Sequence, residues 1–223
     1  MNELLTAVSA AGPLAAGWSM HGAWLRRRLS AARHDPLSGL WTRDTFEQRA
    51  ARTLARCPQV AVMLLDLDGF KAMNDQHGHA AGDAAICSTA GALTEVLDGH
   101  RGAVAARLGG DEFAAVVPVS TPTALSWLLN GLHGAVTAPF WHDGRALTVG
   151  ASIGAALSAD PIVAGAATLP VLLRMADEAM YAVKQTGGGW NYPATTAPSL
   201  TSTSGRRTGR PGTHTPQHEK GAA

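Results

Sequence analysis

The chain has 223 residues, of which 46% are hydrophobic and 16% charged, enough apolar material for one globular domain of roughly 150 residues with appendages. Its formal net charge is +1 and several arginines lie in the run Arg26 to Arg28 or in the tail, so no broad basic face points to nucleic acid. Cys57 and Cys87 have neither metal-ligand spacing nor a disulfide framework and read as small, partly buried thiols.

Residues 4 to 25 contain no Asp, Glu, Lys or Arg and run directly into Arg26, Arg27 and Arg28. An uncharged stretch of about 20 residues followed by cations resembles a transmembrane segment whose C-terminal side stays in the cytoplasm. Pro13, His21 and the many Ala and Gly residues weaken that signal, and a soluble or interfacial helix is the alternative. A cleaved signal peptide is disfavoured because only Glu3 precedes the stretch where a cation is expected. Residues 192 to 223 hold seven Thr and four Pro with hardly an aliphatic side chain, a composition that predicts a disordered tail.

Between these ends, residues 35 to 191 read as one domain. Thr42 to Arg56 has helical spacing of apolar residues behind a Thr42 cap, and Gln59 to Asp68 is a buried strand ending in carboxylates. A loop or short helix follows, then a helix over 79–98. Strands 103–108 and 113–119 flank a turn at Gly109-Gly110, and a helix spans 122–135. The segment from Ala138 to Leu157 predicts two strands around an Asp143-Gly144 turn, and a helix over 170–186 closes the domain. The sum is a mixed α/β (α+β) fold with a mostly antiparallel sheet flanked by helices.

The turn carries more than a hairpin needs. Gly109 and Gly110 explain the bend, but Asp111 and Glu112 follow it in front of an apolar strand, while Asp66 and Asp68 end another strand. Unrelated exposed turn acids are one explanation. If the strand ending at Asp66 lies beside the hairpin, Asp66 and Asp111 meet at one sheet edge. With a backbone carbonyl such as that of Leu67, they would offer Mg²⁺ hard oxygen ligands and leave room for phosphate and water.

These residues resemble the GGDEF family of diguanylate cyclases. Gly109-Gly110-Asp111-Glu112-Phe113 is its signature, Asp35 to Arg43 looks like its opening segment, and Asp66 to Asp83 has the spacing of DLDxFKxxND followed by GHxxGD. "ASIGAA" and "ADEAMYAVK" resemble its late central strand and final helix. The resemblance implies a ferredoxin-like, palm-type fold and condensation of two GTP molecules into cyclic di-GMP by a homodimer, each domain supplying half the site. By match, Asp66, the Leu67 carbonyl and Asp111 hold Mg²⁺, with Mn²⁺ as a substitute. Asp111 and Glu112 are the catalytic pair, Glu112 either binding a second metal or assisting deprotonation of the attacking 3′-hydroxyl. Asn74 and Asp83 match the guanine-binding pair; the backbone of Gly69, Phe70, Lys71 and Gly110, and the Lys184 side chain, would contact GTP, largely at its phosphates. The catalytic domain is expected in the cytoplasm, anchored to the inner membrane face through residues 4–25.

Other polar residues have plainer readings: Asp68 organises the loop after its strand, Asp177 belongs to the final helix, and His77 and His79 pack or bond within their loop rather than bind metal. Two departures from the family pattern stand out. Gly188 occupies a position where the family commonly has an Arg that contacts phosphate. His100 and Ala103 occupy the positions of the Arg and Asp of an inhibitory Arg-x-x-Asp product site, with Arg101 adjacent. A catalytically degenerate GTP-binding or scaffold module is therefore the alternative function, and a nucleotidyl transferase for another purine is disfavoured by Asp83.

Overall fold

The computed structural model describes residues 33–160, 165 and 167–193. The uncharged stretch at 4–25 and nearly all of the Thr/Pro-rich tail lie outside these residues. Among the described residues no helix is long and apolar enough to cross a membrane.

Helix α1 (Arg43–Arg56) leads into β1 (Val60–Asp68), which turns directly into α2 (Phe70–His77) and α3 (His79–Leu97). The hairpin β2 (Val104–Gly109) and β3 (Glu112–Pro118) follows, then α4 (Pro122–Val136), the small ribbon β4 (Phe140–His142) and β5 (Arg145–Leu147), β6 (Gly150–Leu157), α5 (Leu169–Gln185) and β7 (Gly189–Asn191). The main sheet has the order β2-β3-β1-β6-β7. Its ladders are antiparallel except for the parallel pairing of β6 with β7.

Strand β1 is central and buried on both faces, which is why its sequence is a continuous apolar run rather than an alternation. The two faces nevertheless serve different layers. Ala61, Met63, Leu65 and Leu67 pack with α3 and α4 residues such as Leu93 and Leu129. Val60 and Val62 face the opposite core, with Phe46 of α1 and Leu172 and Ala176 of α5. Asp66 and Asp68 continue the even-numbered series, and so leave the sheet on the α5 side just where the apolar strand runs out.

Two expectations are corrected, and one strand is added. The segment from Ala138 to Leu157 forms three strands: the Asp143-Gly144 turn closes the separate β4–β5 ribbon, and β6 restarts at Gly150 in the main sheet. Strand β7 lies in a Gly-rich stretch with no strand-forming pattern, and pairs only through Gly189 to Asn191. Thr42 stands at the α1 N-cap position without a capping bond; its hydroxyl donates instead to the Arg33 carbonyl at 3.2 Å. The stretch read as a loop or short helix after Asp68 is a helix, entered through Gly69 at φ +74°, a left-handed turn that glycine adopts without steric cost.

Candidate active site

The candidate site lies at the C-terminal end of β1. In the antiparallel register Asp66 pairs with Glu112 of β3 on one side and with Ser152 of β6 on the other. The Leu67 amide donates to the Asp111 carbonyl at 3.3 Å, which ties the signature turn to β1 through backbone alone. Asp66 and Asp111 are thus brought to one sheet edge, close enough that the Asp111 charge bears on Asp66.

Asp66 is 8% exposed. Burial pushes its carboxyl above the ordinary carboxylate pKa; the Lys184 ammonium pulls it down, and the neighbouring Asp111 and Asp68 charges push it up again, with a net rise. Lys184 Nζ lies 2.7 Å from Asp66 Oδ1. Asp68 has a different partner: the fully buried Ser152 hydroxyl donates to its two carboxylate oxygens at 2.9 and 3.0 Å. Glu112 is exposed and faces Arg43 at 3.9 Å, a separation and exposure that leave it a weak, movable pair.

The two residues expected to read the base, Asn74 and Asp83, lie on the α2–α3 pair. Gly82 is buried on α3, and the Asn74 carboxamide fills the place a Cβ would occupy there. That close approach sets Asn74 beside the start of α3, where Asp83 is exposed one residue on. The first intrahelical bond of α2 runs from the Met73 amide to the Gly69 carbonyl at 3.0 Å. The amides of Phe70 and Lys71 therefore belong to the first turn, which has no intrahelical acceptors and can donate to an anion. Gly110 has φ +54° and its carbonyl is held within the hairpin.

The holder of that carbonyl, Arg107, is not among the candidates that the sequence suggests. Its Nε and Nη2 donate to the Gly110 carbonyl at 2.9 and 2.8 Å, and its Nη1 reaches Asp35 at 3.1 Å. Asp35 also accepts from the Ser38 hydroxyl and amide at 2.7 and 2.8 Å. The sequence does hold a signal, a cation two residues before the glycines and an acid in the opening segment, but their partnership spans 72 positions.

The family's usual arginine position also takes on a structural reason. Gly188 has φ +96°, and a Cβ there would come 2.8 Å from Asp68 Oδ2. A side chain on this backbone path would be strained and would have to move the Asp68 carboxylate. His100 is exposed and Ala103 half-buried, and both line a cleft of about 450 Å³ with Arg101, Trp41 and His34. His77 is half-buried and His79 exposed at the start of α3. Among the described residues no three His, Cys, Asp or Glu side chains form a metal cage. A metal ion held by two carboxylates and a backbone carbonyl would draw its other ligands from phosphate and water.

The family model described as diguanylate cyclase, GGDEF domain, matches residues 32–189. The chain belongs to the GGDEF family. An uncharacterized 19.3 kDa protein in the repSA 5′ region of Streptomyces ambofaciens is 44% identical over 179 residues, covering 80% of this chain and 92% of that one. A probable diguanylate cyclase, DgcE of Escherichia coli, is 35% identical over 170 residues, which is 74% of this chain but only 15% of the larger protein. The crystal structure of a sensory box/GGDEF family protein from Caulobacter crescentus superposes with a TM-score of 0.63 at 38% identity, covering 70% of this GGDEF chain and 100% of that one.

Proposed function

We propose that this GGDEF chain is a diguanylate cyclase that joins two GTP molecules into cyclic di-GMP with release of two pyrophosphates, as a homodimer in which each domain binds one GTP. The observation that carries this reading is the meeting of Asp66 and Asp111 at the end of β1, from which the chain turns directly into the α2–α3 pair that sets Asn74 against Gly82, the residue before Asp83. Family membership and the similarity to a probable diguanylate cyclase support it.

The donor set of Asp66, Asp111 and the Leu67 carbonyl suits Mg²⁺, with Mn²⁺ as a substitute, and an ammonium already bonded to Asp66 marks the place as one that accepts a cation. Bound there, the ion would supply positive charge to offset the charge developing at the α-phosphorus. The chain's own residues orient the nucleotide. Asp83 accepts from guanine N1–H and the exocyclic amine, a donor pair adenine lacks, with Asn74 beside it. The first-turn amides of α2 and Lys184 receive the β and γ phosphates. The 3′-hydroxyl of the partner's GTP then attacks the α-phosphorus, a new P–O bond forms, the α–β anhydride bond breaks and pyrophosphate leaves. Repeating this in the opposite sense closes the ring. Glu112 either takes the hydroxyl proton or binds a second ion. In this reading the catalytic domain works in the cytoplasm, and residues 4–25 tether it to the inner membrane face.

A second reading, a GTP-binding or scaffold module without turnover, is favoured by Gly188, which supplies no cation where relatives commonly have one. Incubating the purified chain with GTP and Mg²⁺, followed by mass spectrometry, separates the two. Cyclic di-GMP and pyrophosphate are expected; GTP recovered intact from a nucleotide-binding protein would establish the second reading.

A further inference from the structure

Lys184 and Asp66 hold each other in a way that bears on how metal and nucleotide enter. Residues 176, 180 and 184 form one stripe of α5. At its inner end the helix sits directly on β6: the Ala176 carbonyl and the Met180 amide nitrogen occupy the space where Gly154 would carry a Cβ. Gly154 pairs with Leu64 of β1, and Asp66 lies two residues further along the same strand. One turn of helix beyond Met180 advances about 6 Å, and two residues of strand advance about 6.7 Å. The root of Lys184 is therefore carried to the level of Asp66, with no slack in the helix, and the flexible stem alone can move.

The carboxylate it reaches is the less exposed member of the pair: the Asp66 side chain is 12% exposed and the Lys184 side chain 37%. Two further carboxylates, Asp111 and Asp68, bear on the same spot, and Asp68 is already bonded to Ser152. A nearly buried acid flanked by acids requires a cation beside it, and in the described residues Lys184 is the cation ion-paired with it. Lys184 holds Asp66 Oδ1, one of the two oxygens that this carboxylate could offer a divalent ion.

We propose that Lys184 is a resident counter-cation of Asp66, displaced only when a triphosphate arrives to receive its ammonium, so that divalent metal and nucleotide bind as a coupled pair and metal alone is excluded. This rests on the reading of Asp66 as a metal ligand. A metal ion entering alone would compete with the 2.7 Å ion pair for one carboxylate and set two cations side by side. With a triphosphate present the ammonium exchanges one anion for another, and the two ligands assist each other reciprocally.

The test is Mn²⁺ binding to the full chain without nucleotide, followed by the loss of the free-ion signal in electron paramagnetic resonance. Lys184→Met and Lys184→Gln are expected to bind Mn²⁺ about tenfold more tightly than the natural chain, within the ordinary range of coupling between sites. Lys184→Arg, which keeps the charge, is expected to leave metal-only binding weak. Adding Asp66→Asn to Lys184→Met should abolish the gain. The lysine is an exposed residue in the last turn of α5, and unchanged circular dichroism verifies the fold of each variant. Equal Mn²⁺ affinity in the natural chain and both neutral variants would overturn the proposal, as would a gain that survives Asp66→Asn. A parallel titration, with a guanosine triphosphate analogue whose α–β bridge cannot be cleaved, isolates the underlying reading. If Asp66→Asn leaves Mn²⁺ binding in that ternary mixture unchanged, Asp66 is no metal ligand and both ideas fall. If it abolishes binding while the neutral lysine variants gain nothing, only the counter-cation role falls.

Discussion

The Asn74 carboxamide lies over the backbone of Gly82, in the space a Cβ would fill. Gly82 is in the first turns of α3 and outside the positive-φ set, so alanine suits its backbone and by propensity favours the helix by about 1 kcal/mol. Gly82→Ala should therefore separate stability from recognition. Thermal unfolding is expected to be unchanged or shifted upward, while GTP affinity falls because Asn74 must leave its place over Gly82. Calorimetric titration with GTP beside a melting curve checks both.

Asp111→Ala should lower cyclic di-GMP formation by more than about a hundredfold, the scale of losing several kcal/mol of charge stabilisation at the reacting phosphorus. The fold should persist, because the contact from the Leu67 amide is to the Asp111 backbone carbonyl and alanine retains it. Near-native circular dichroism with wild-type turnover would show that the carboxylate holds no metal.

Arg107→Ala removes the donors to Gly110 and Asp35 together and is expected to cost about 1.5–3 kcal/mol, the range for hydrogen bonds to charged groups. Turnover should fall with it, since the hairpin carrying Asp111 loses its brace. The pH dependence belongs to Asp35. Burial opposes its ionisation, but the Ser38 hydroxyl and amide and the Arg107 guanidinium outweigh burial and hold its pKa below the ordinary 3.8. A lowered folded pKa means that the stability it contributes is complete above the unfolded value and is lost as pH falls through the folded one. Urea unfolding of the natural chain and Asp35→Asn should differ by a constant amount above about pH 5, with the gap closing below pH 3.8.

Gly188→Arg, the obvious way to restore the relatives' residue, should fail. A side chain at φ +96° carries about 1–2 kcal/mol of backbone strain, and its Cβ meets Asp68 Oδ2 at 2.8 Å. Reduced stability with no gain in turnover is expected from denaturant melts and pyrophosphate-release rates.

Little noncompetitive inhibition by micromolar cyclic di-GMP is expected, because His100 and Ala103 stand where an arginine and an aspartate would grip the product. A charge-assisted hydrogen bond contributes about 1.5–3 kcal/mol, and neither of the two is available here. Calorimetry with the GTP site blocked checks this: tight binding abolished by His100→Ala would show that the histidine substitutes for the arginine, and tight binding indifferent to it would place a product site elsewhere.

The parts of this fold that a reader of the sequence can find are those whose signals are local. Val60 to Asp68 announces a buried strand by its unbroken apolar run, and Gly109-Gly110 announces a turn. The pairing of β2 with β3 follows from the shortness of that turn. What stays hidden depends on distant partners. Strand β7 exists because β6 offers an open edge to Gly189–Asn191, and no pattern in three glycines and a tryptophan foretells it. Arg107 and Asp35 look like ordinary surface charges until the fold joins them. Gly188 reads as a missing side chain, and only its positive φ and the Asp68 carboxylate beside it show what a side chain there would strain.

The alternation of β1 bears on how this protein can tolerate change. Its odd-numbered residues belong to the layer under α2, α3 and α4, which carries Asn74 and Asp83, and its even-numbered residues to the layer under α1 and α5, which carries Lys184. Repacking one layer leaves the other's packing in place across the sheet. Losses traced to Asn74 and Asp83 and losses traced to Lys184 should then arise from separate sets of substitutions and combine additively, which leaves each contact free to drift under its own selection while the strand between them stays fixed.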